Sequence, residues 1–120
     1  MKYTVAVPLS KVAANKLFAD GDPDRIKETL VSVALNEPDW RWVQERCIEF
    51  ANNSAEWSVR AVCATCLGHI ARIHGELDLE GALRTLEALA RDPRTQGYAE
   101  TALDDIRMYV RRVGSGSTSE

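Results

Sequence analysis

Apolar residues recur every three to four positions along most of the chain, which is the spacing of amphipathic helices. Capping residues, prolines and glycines divide this pattern into segments. Pro23 and Pro93 stand at helix starts, and Gly75 follows a helix end. The predicted N-caps are Ser10, Asp22, Ser54, Asp78 and Asp92. We predict six helices, at residues 11–19, 24–35, 38–52, 55–74, 79–91 and 94–112. Only residues 3–9 alternate with a period of two, and with no second strand to pair they predict an extended N-terminal arm.

The fourth predicted helix is apolar on two sides. One broad face holds large and medium residues: Val59, Val62, Cys63, Cys66, Leu67, Ile70 and Ile73. The roughly opposite stripe holds small residues: Ala61, Ala64, Gly68 and Ala71. A helix of this kind is packed from both sides, and its small residues let a neighbouring backbone come close. This helix is therefore predicted to lie at the centre of the fold.

Helix pairs repeat along the chain. Aligning Val59 with Tyr98 also places Leu67 on Ile106, and a helix-pair repeat of about 40 residues is the length of HEAT or armadillo units. The predicted fold is therefore all-α, a HEAT-like stack of about six antiparallel helices in three pairs. It forms one domain, residues 1–113, and residues 114–120 have the composition of a flexible Gly/Ser tail.

The third and sixth predicted helices each have a core face. In the third it is formed by Trp40, Val43, Cys47, Phe50 and Ala51, and in the sixth by Tyr98, Ala102, Ile106, Tyr109 and Val113. Trp42 and Arg46 lie on a flank of the third helix beside Glu49, away from the core set. Trp42 is therefore either covered by the arm or the second helix, or free to act as a binding anchor.

Composition narrows the function. The 120 residues are 45% hydrophobic and 28% charged, with a formal net charge of -3, which argues against direct binding of nucleic acid. Neither a signal peptide nor an apolar run of about 18 residues is present, so a cytoplasmic protein without membrane contact is predicted. An odd number of cysteines without a secretory signal indicates reduced thiols.

Two groups of residues could in principle form a metal site or a catalytic site. Cys63, Cys66 and His69 share one helix, whereas structural zinc sites take four converging ligands, usually from separate knuckles. Buried thiols, with no metal and no cofactor, are therefore predicted. Neither His69 nor His74 has a carboxylate spaced to orient it as a base, and the chain is predicted not to be an enzyme.

Several segments carry a resemblance to a known group of proteins. The run from Glu37 to Gln44, the pair Val59-Arg60 and the run from Cys66 to Gly75 resemble small bacterial HEAT-like proteins. Members of that group resemble immunity proteins of contact-dependent or polymorphic toxin systems. The resemblance, over roughly residues 10–112, implies a helical fold that neutralises a cognate toxin domain, for which a nuclease is one candidate. It carries over no catalytic residues.

A partner-binding surface follows from these residue types, because Trp and Arg are enriched in interface hot spots and acidic residues steer basic partners. The predicted site residues are Trp42, Glu45, Arg46, Glu49, His69 and Arg72. The alternative function is a cytosolic HEAT-like scaffold or a subunit of a larger assembly.

Overall fold

The computed structural model describes residues 8–110, which form six α-helices. They are α1 (Lys11–Asp20), α2 (Pro23–Asn36), α3 (Trp40–Asn53), α4 (Trp57–His74), α5 (Leu79–Ala90) and α6 (Gln96–Tyr109). Within residues 8–110 there is no strand, so the all-α prediction is confirmed. Most of the predicted arm and the whole Gly/Ser tail lie outside the described residues. None of these helices is both long enough and apolar enough to cross a membrane.

The helices stack as three successive pairs in two layers. In one layer α2, α4 and α6 lie side by side, with α4 between the other two. They run parallel. Lys27 near the start of α2 donates to Ser58 near the start of α4 (3.3 Å). Further along, Gly68 of α4 faces Ala102 of α6, and Gly75, just after α4, faces the carbonyl of Tyr109 at the end of α6. The other layer holds α1, α3 and α5. The predicted stack of six helices in three pairs is therefore confirmed, whereas the HEAT repeat type stays a prediction.

The caps explain where several helices begin and end. Ser10 Oγ accepts the Ala13 amide at the start of α1 (3.0 Å), and Asp39 Oδ1 accepts the Trp42 amide at the start of α3 (3.3 Å). Gly21 and Gly75 end α1 and α4 with φ of 82° and 68°, a left-handed conformation that glycine adopts without steric cost.

Two predicted helix starts are displaced in the structure. Ser54 was expected to cap α4, but its amide donates to Phe50 and ends α3, and α4 begins at Trp57. Asp92 and Pro93 were expected to open the last helix. Instead the Asp92 carboxylate accepts the Arg94 amide (2.9 Å) in a turn, and α6 begins after Thr95. A side-chain hydrogen bond that closes a local turn competes with helix initiation.

The core is centred on α4, as predicted. Its small stripe is buried, with Gly68 against Ala102 of α6, and the thiols of Cys63 and Cys66 are fully enclosed. Three residues predicted to face inward are exposed instead: Ile73 (49%), Tyr98 (47%) and Tyr109 (44%). Ile73 lies in the last turn of an 18-residue helix beside the 14-residue α2. The two tyrosines lie on the terminal helix, which packs only on α4 and α5 within the described chain.

Candidate partner-binding surface

The α3 flank holds four of the predicted site residues. Glu45 and Glu49 are exposed, whereas Trp42 and Arg46 are half-buried. Lys11 Nζ of α1 lies 5.7 Å from the centroid of the Trp42 ring, and Arg46 Cζ lies 5.8 Å from it, both within the range of cation–π attraction. Among the described residues, Lys11 of α1 and Arg46 of α3 therefore cover part of the Trp42 ring. Most of the N-terminal arm, which one alternative predicted as the cover, lies outside the described residues. Trp42 offers a partner only part of its surface.

A salt bridge fastens the same region. Lys11 Nζ lies 2.6 Å from Asp39 Oδ2, the carboxylate that also caps α3. The hydrogen bond from Lys11 and the one from the Trp42 amide lower the pKa of Asp39, and the bond to Asp39 raises the pKa of Lys11. On the same flank Arg46 Nε is buried 3.1 Å from Glu49 Oε1, an ion pair that lacks hydrogen-bond geometry.

The other two predicted site residues belong to a network that joins α4 to α6. Arg72 donates to Asp105 Oδ2 (3.0 Å) and also contacts His69 Nδ1. A guanidinium can only donate, so Nδ1 accepts and the ring proton of His69 sits on Nε2. Burial first, and then the neighbouring Arg72 charge, lower the pKa of His69 in spite of Asp105. The histidine is therefore held in its neutral form.

Gly68 explains why Asp105 can reach this network. A Cβ atom at position 68 would lie 2.7 Å from Asp105 Oδ2 and 3.5 Å from the Cα of Ala102. The missing side chain thus makes room for the carboxylate that binds Arg72. A pocket of about 360 Å³ opens beside it, lined by Thr65, Arg72, Gly97, Tyr98, Thr101, Ala102 and Asp105.

The two groups of predicted residues lie in different layers. The α3 flank faces α1, whereas His69 and Arg72 face α6, so they do not converge on one pocket. Sequence reasoning missed Asp105, Thr101 and the exposure of Tyr98. The predicted last helix began at residue 94, whereas α6 begins at Gln96 after a turn. The sequence signal that was available is the pair Gly68 and Arg72, which marks a close helix contact beside a charged side chain.

The three cysteines are enclosed in the core. Burial raises the pKa of Cys63, and contact with the Cys47 thiol together with burial raises the pKa of Cys66. A thiol held protonated in this way is a poor nucleophile and metal ligand. Across residues 8–110, no group of three or more His, Cys, Asp or Glu side chains is placed to hold a metal ion.

Comparison with known proteins gives a match among solved structures. Neither a protein-family model nor a curated protein sequence matches the chain. Among solved structures, a chain in the crystal structure of a CDI (contact-dependent inhibition) complex from Cupriavidus taiwanensis LMG 19424 is 31% identical, with a TM-score of 0.80. The match covers 91% of this chain and 96% of that one.

The protein belongs to this CDI family. The resemblance to small helical proteins of contact-dependent toxin systems is therefore confirmed. Because the match covers 91% of this chain, the likeness extends well beyond the α3–α4 pair that carried most of the resemblance. Which surface of this CDI protein contacts a partner remains a prediction.

Proposed function

We propose that this protein is an immunity-type protein, which neutralises a cognate bacterial toxin domain by tight protein–protein binding. The observation that carries the proposal is the match to a chain of a CDI complex along nearly the full length of both proteins. The fold is compatible with this role, because a stack of short capped helices gives a rigid surface that loses little conformational entropy on binding.

The proposed mechanism is stoichiometric occlusion without chemistry. The protein would act in the cytoplasm, where an incoming toxin domain reaches its target, and it would cover the toxin's active site. A nuclease is a suitable partner class, since active sites that bind phosphate backbones are basic and the net charge of this chain is -3. The protein itself would contact neither nucleic acid nor membrane.

The test expresses the C-terminal domain encoded by the gene immediately upstream, with and without this protein, in a bacterial host. We expect growth arrest with the domain alone, rescue with both, and a complex that survives gel filtration. Titration should show full neutralisation at one protein per toxin domain. Rescue at a small fraction of that ratio would indicate catalysis instead.

A destabilised variant provides the control. Leu67→Asp places a carboxylate in a fully buried position, so it should unfold the protein and abolish rescue at equal expression. If the upstream domain is harmless alone, or remains equally toxic with no complex formed, the immunity proposal fails. The alternative of a HEAT-like scaffold would then be pursued through the proteins that co-purify from the native host.

A further inference from the structure

Exposed apolar side chains gather at one end of the stack. Residues 8–110 contain seven large hydrophobic side chains that are clearly exposed, and only Trp57 and Tyr98 lie towards the far end. The other five lie within two residues of a helix terminus at the end where α1, α3 and α5 begin and α2, α4 and α6 finish: Val12 (67%), Leu35 (40%), Ile73 (49%), Met108 (73%) and Tyr109 (44%). Apolar side chains collected in this way mark interaction sites.

Contacts across this end tie its loops to neighbouring helices. Lys11 at the start of α1 binds Asp39 in the loop before α3. The side chain of Gln44 in α3 accepts a hydrogen bond from the Asp78 amide and donates one to the Asp78 carbonyl, both at 2.9 Å. These bonds tie α3 to the loop before α5. Gly75, just after α4, packs against the last residue of α6: a Cβ atom at position 75 would lie 3.5 Å from the carbonyl oxygen of Tyr109. The loops are therefore held in place before any partner arrives.

Both loops at this end are acidic. Loops 37–39 and 75–78 contain Glu37, Asp39, Glu76 and Asp78 and neither lysine nor arginine. In the described part of the chain, only Asp39 of these four takes part in an ion pair. We call loops 37–39 and 75–78, with the five exposed apolar residues above, the acidic end.

The opposite end has the reverse character. Apart from Glu56, the carboxylates named at this end are paired with cations of the same chain: Asp20 and Asp22 with Arg25, Asp24 with Lys27, and Asp92 with Arg60 and Arg94. A basic partner would have to break these pairs to gain from them. At the acidic end, Glu37, Glu76 and Asp78 have no ion pair among the described residues, although Glu37 accepts the Asp39 amide (2.9 Å). Carboxylates of this kind near exposed apolar side chains are typical of a polar rim around an apolar interface centre.

Resting on the proposed immunity function, we propose that the acidic end is the surface that docks the toxin domain. The occupant is a protein face that combines lysine or arginine with apolar residues. Ile73, Met108 and Tyr109 would form the buried centre, and Glu37 and Glu76 would steer the approach. This surface differs from the α3 flank, where Trp42 is already engaged by Lys11 and Arg46.

Three matched charge reversals test the location. Glu76→Lys lies in the acidic end, Glu56→Lys in the loop at the opposite end, and Glu45→Lys on the α3 flank; each replaces an exposed carboxylate without an ion pair in the described chain. Stopped-flow binding to the purified upstream toxin domain at low salt should show association about tenfold slower for Glu76→Lys alone. The other two should stay within about twofold of the unchanged protein, as expected for charges outside the interface.

A second pair of variants tests the apolar centre. The double variant Ile73→Ser with Met108→Ser should dissociate about tenfold faster, the effect of losing an interface anchor. The control Trp57→Ser, at the opposite end, should leave dissociation unchanged. Circular dichroism melts must show that all variants remain folded, and any that does not is replaced by the milder Ala or Gln substitution.

The outcomes separate this inference from the proposed function. Tight binding that is insensitive to Glu76→Lys and to the double serine variant, or sensitive to Glu45→Lys instead, overturns the docking surface and leaves the immunity function standing. A dimer of the protein alone that the double serine variant dissolves would show that a second copy occupies this end, and would also overturn it. Failure of the unchanged protein to bind overturns the immunity function and the docking surface together.

Discussion

The helices α4 and α1 are held in the fold in opposite ways. In α4, nine of the 18 residues are buried, and the helix packs against α2, α3, α5 and α6. In α1 only Ala14 is buried, and the helix depends on exposed contacts such as the Lys11–Asp39 ion pair and the tilted stacking of Phe18 on Phe50 at 5.0 Å.

This difference shows that stability is distributed unevenly among the helices. The helix α1 lies at one end of the stack and packs mainly on α2, whereas α4 has a helix pair on each side. Local opening should therefore begin at α1, and α4 should open only when the whole domain unfolds. Substitutions in the two helices are the direct way to examine this gradient.

The largest difference is expected from matched leucine truncations. Leu67 of α4 is fully buried, so Leu67→Ala should lower the free energy of unfolding by about 2–5 kcal/mol through lost burial and a cavity. Leu17 of α1 is half-buried, and Leu17→Ala should cost clearly less. Urea denaturation followed by circular dichroism measures both. Equal losses would refute the gradient.

The next effect concerns the small stripe of α4. Gly68→Leu should destabilise the protein by about 1–3 kcal/mol or more, because the added side chain meets Asp105 and the backbone of α6. This cost should exceed the roughly 1 kcal/mol that helix propensity gains. Gly97→Leu is the matched control, since nothing lies within 4 Å of a Cβ there. A Gly68→Leu protein that melts at or above the temperature of the unchanged protein would mean that α4 and α6 are not in close contact.

A pH effect should follow from His69. The pKa of His69 is lowered in the folded state, so the unfolded chain binds the proton first as the pH falls. Its contribution to stability is complete above the ordinary histidine pKa of 6.5 and is lost as the pH falls through the folded value. His69→Gln keeps an acceptor for Arg72 and should flatten the loss of stability between pH 7 and 5, whereas His74→Gln should leave it in place. An unchanged pH profile for His69→Gln would exclude this linkage.

The smallest effect is expected at α1. Lys11→Ala removes an exposed ion pair and a cation–π contact, so global stability should change little. Amide hydrogen exchange should nevertheless accelerate in α1, and not in α4, because the lost contacts fasten only the terminal helix. Acceleration spread evenly over both helices would show that α1 opens together with the core.

The fold was largely readable from the sequence because its signals are local. Helical periodicity, the cap at Ser10 and the stop at Gly75 act within a few residues of one another, and all are found where predicted. The displaced start of α6 depends on a longer connection. Thr95 Oγ1 is buried and donates to the carbonyl of Leu89 (2.7 Å), so the preceding turn is fixed by the end of α5. Spacing along one segment does not reveal such a bond.

The surface was harder to predict because it depends on which helices are neighbours. Helical angles placed Trp42 away from the core of its own helix, but they could not show Lys11 lying over the ring. They also could not show Arg72 reaching Asp105 across the α4–α6 contact. The clustering of apolar helix ends is likewise a property of the assembled stack, since these residues are far apart in the chain.

The three enclosed thiols have a practical consequence. Cys47 lies on α3, and Cys63 and Cys66 lie on α4, all without solvent access. A small thiol reagent can therefore react only after these two helices separate. Mass spectrometry counts the labelled thiols one added group at a time. The rate of labelling measures how often the core between α3 and α4 opens locally under native conditions. The labelling rate of the unaltered chain thus reports how often α3 and α4 separate.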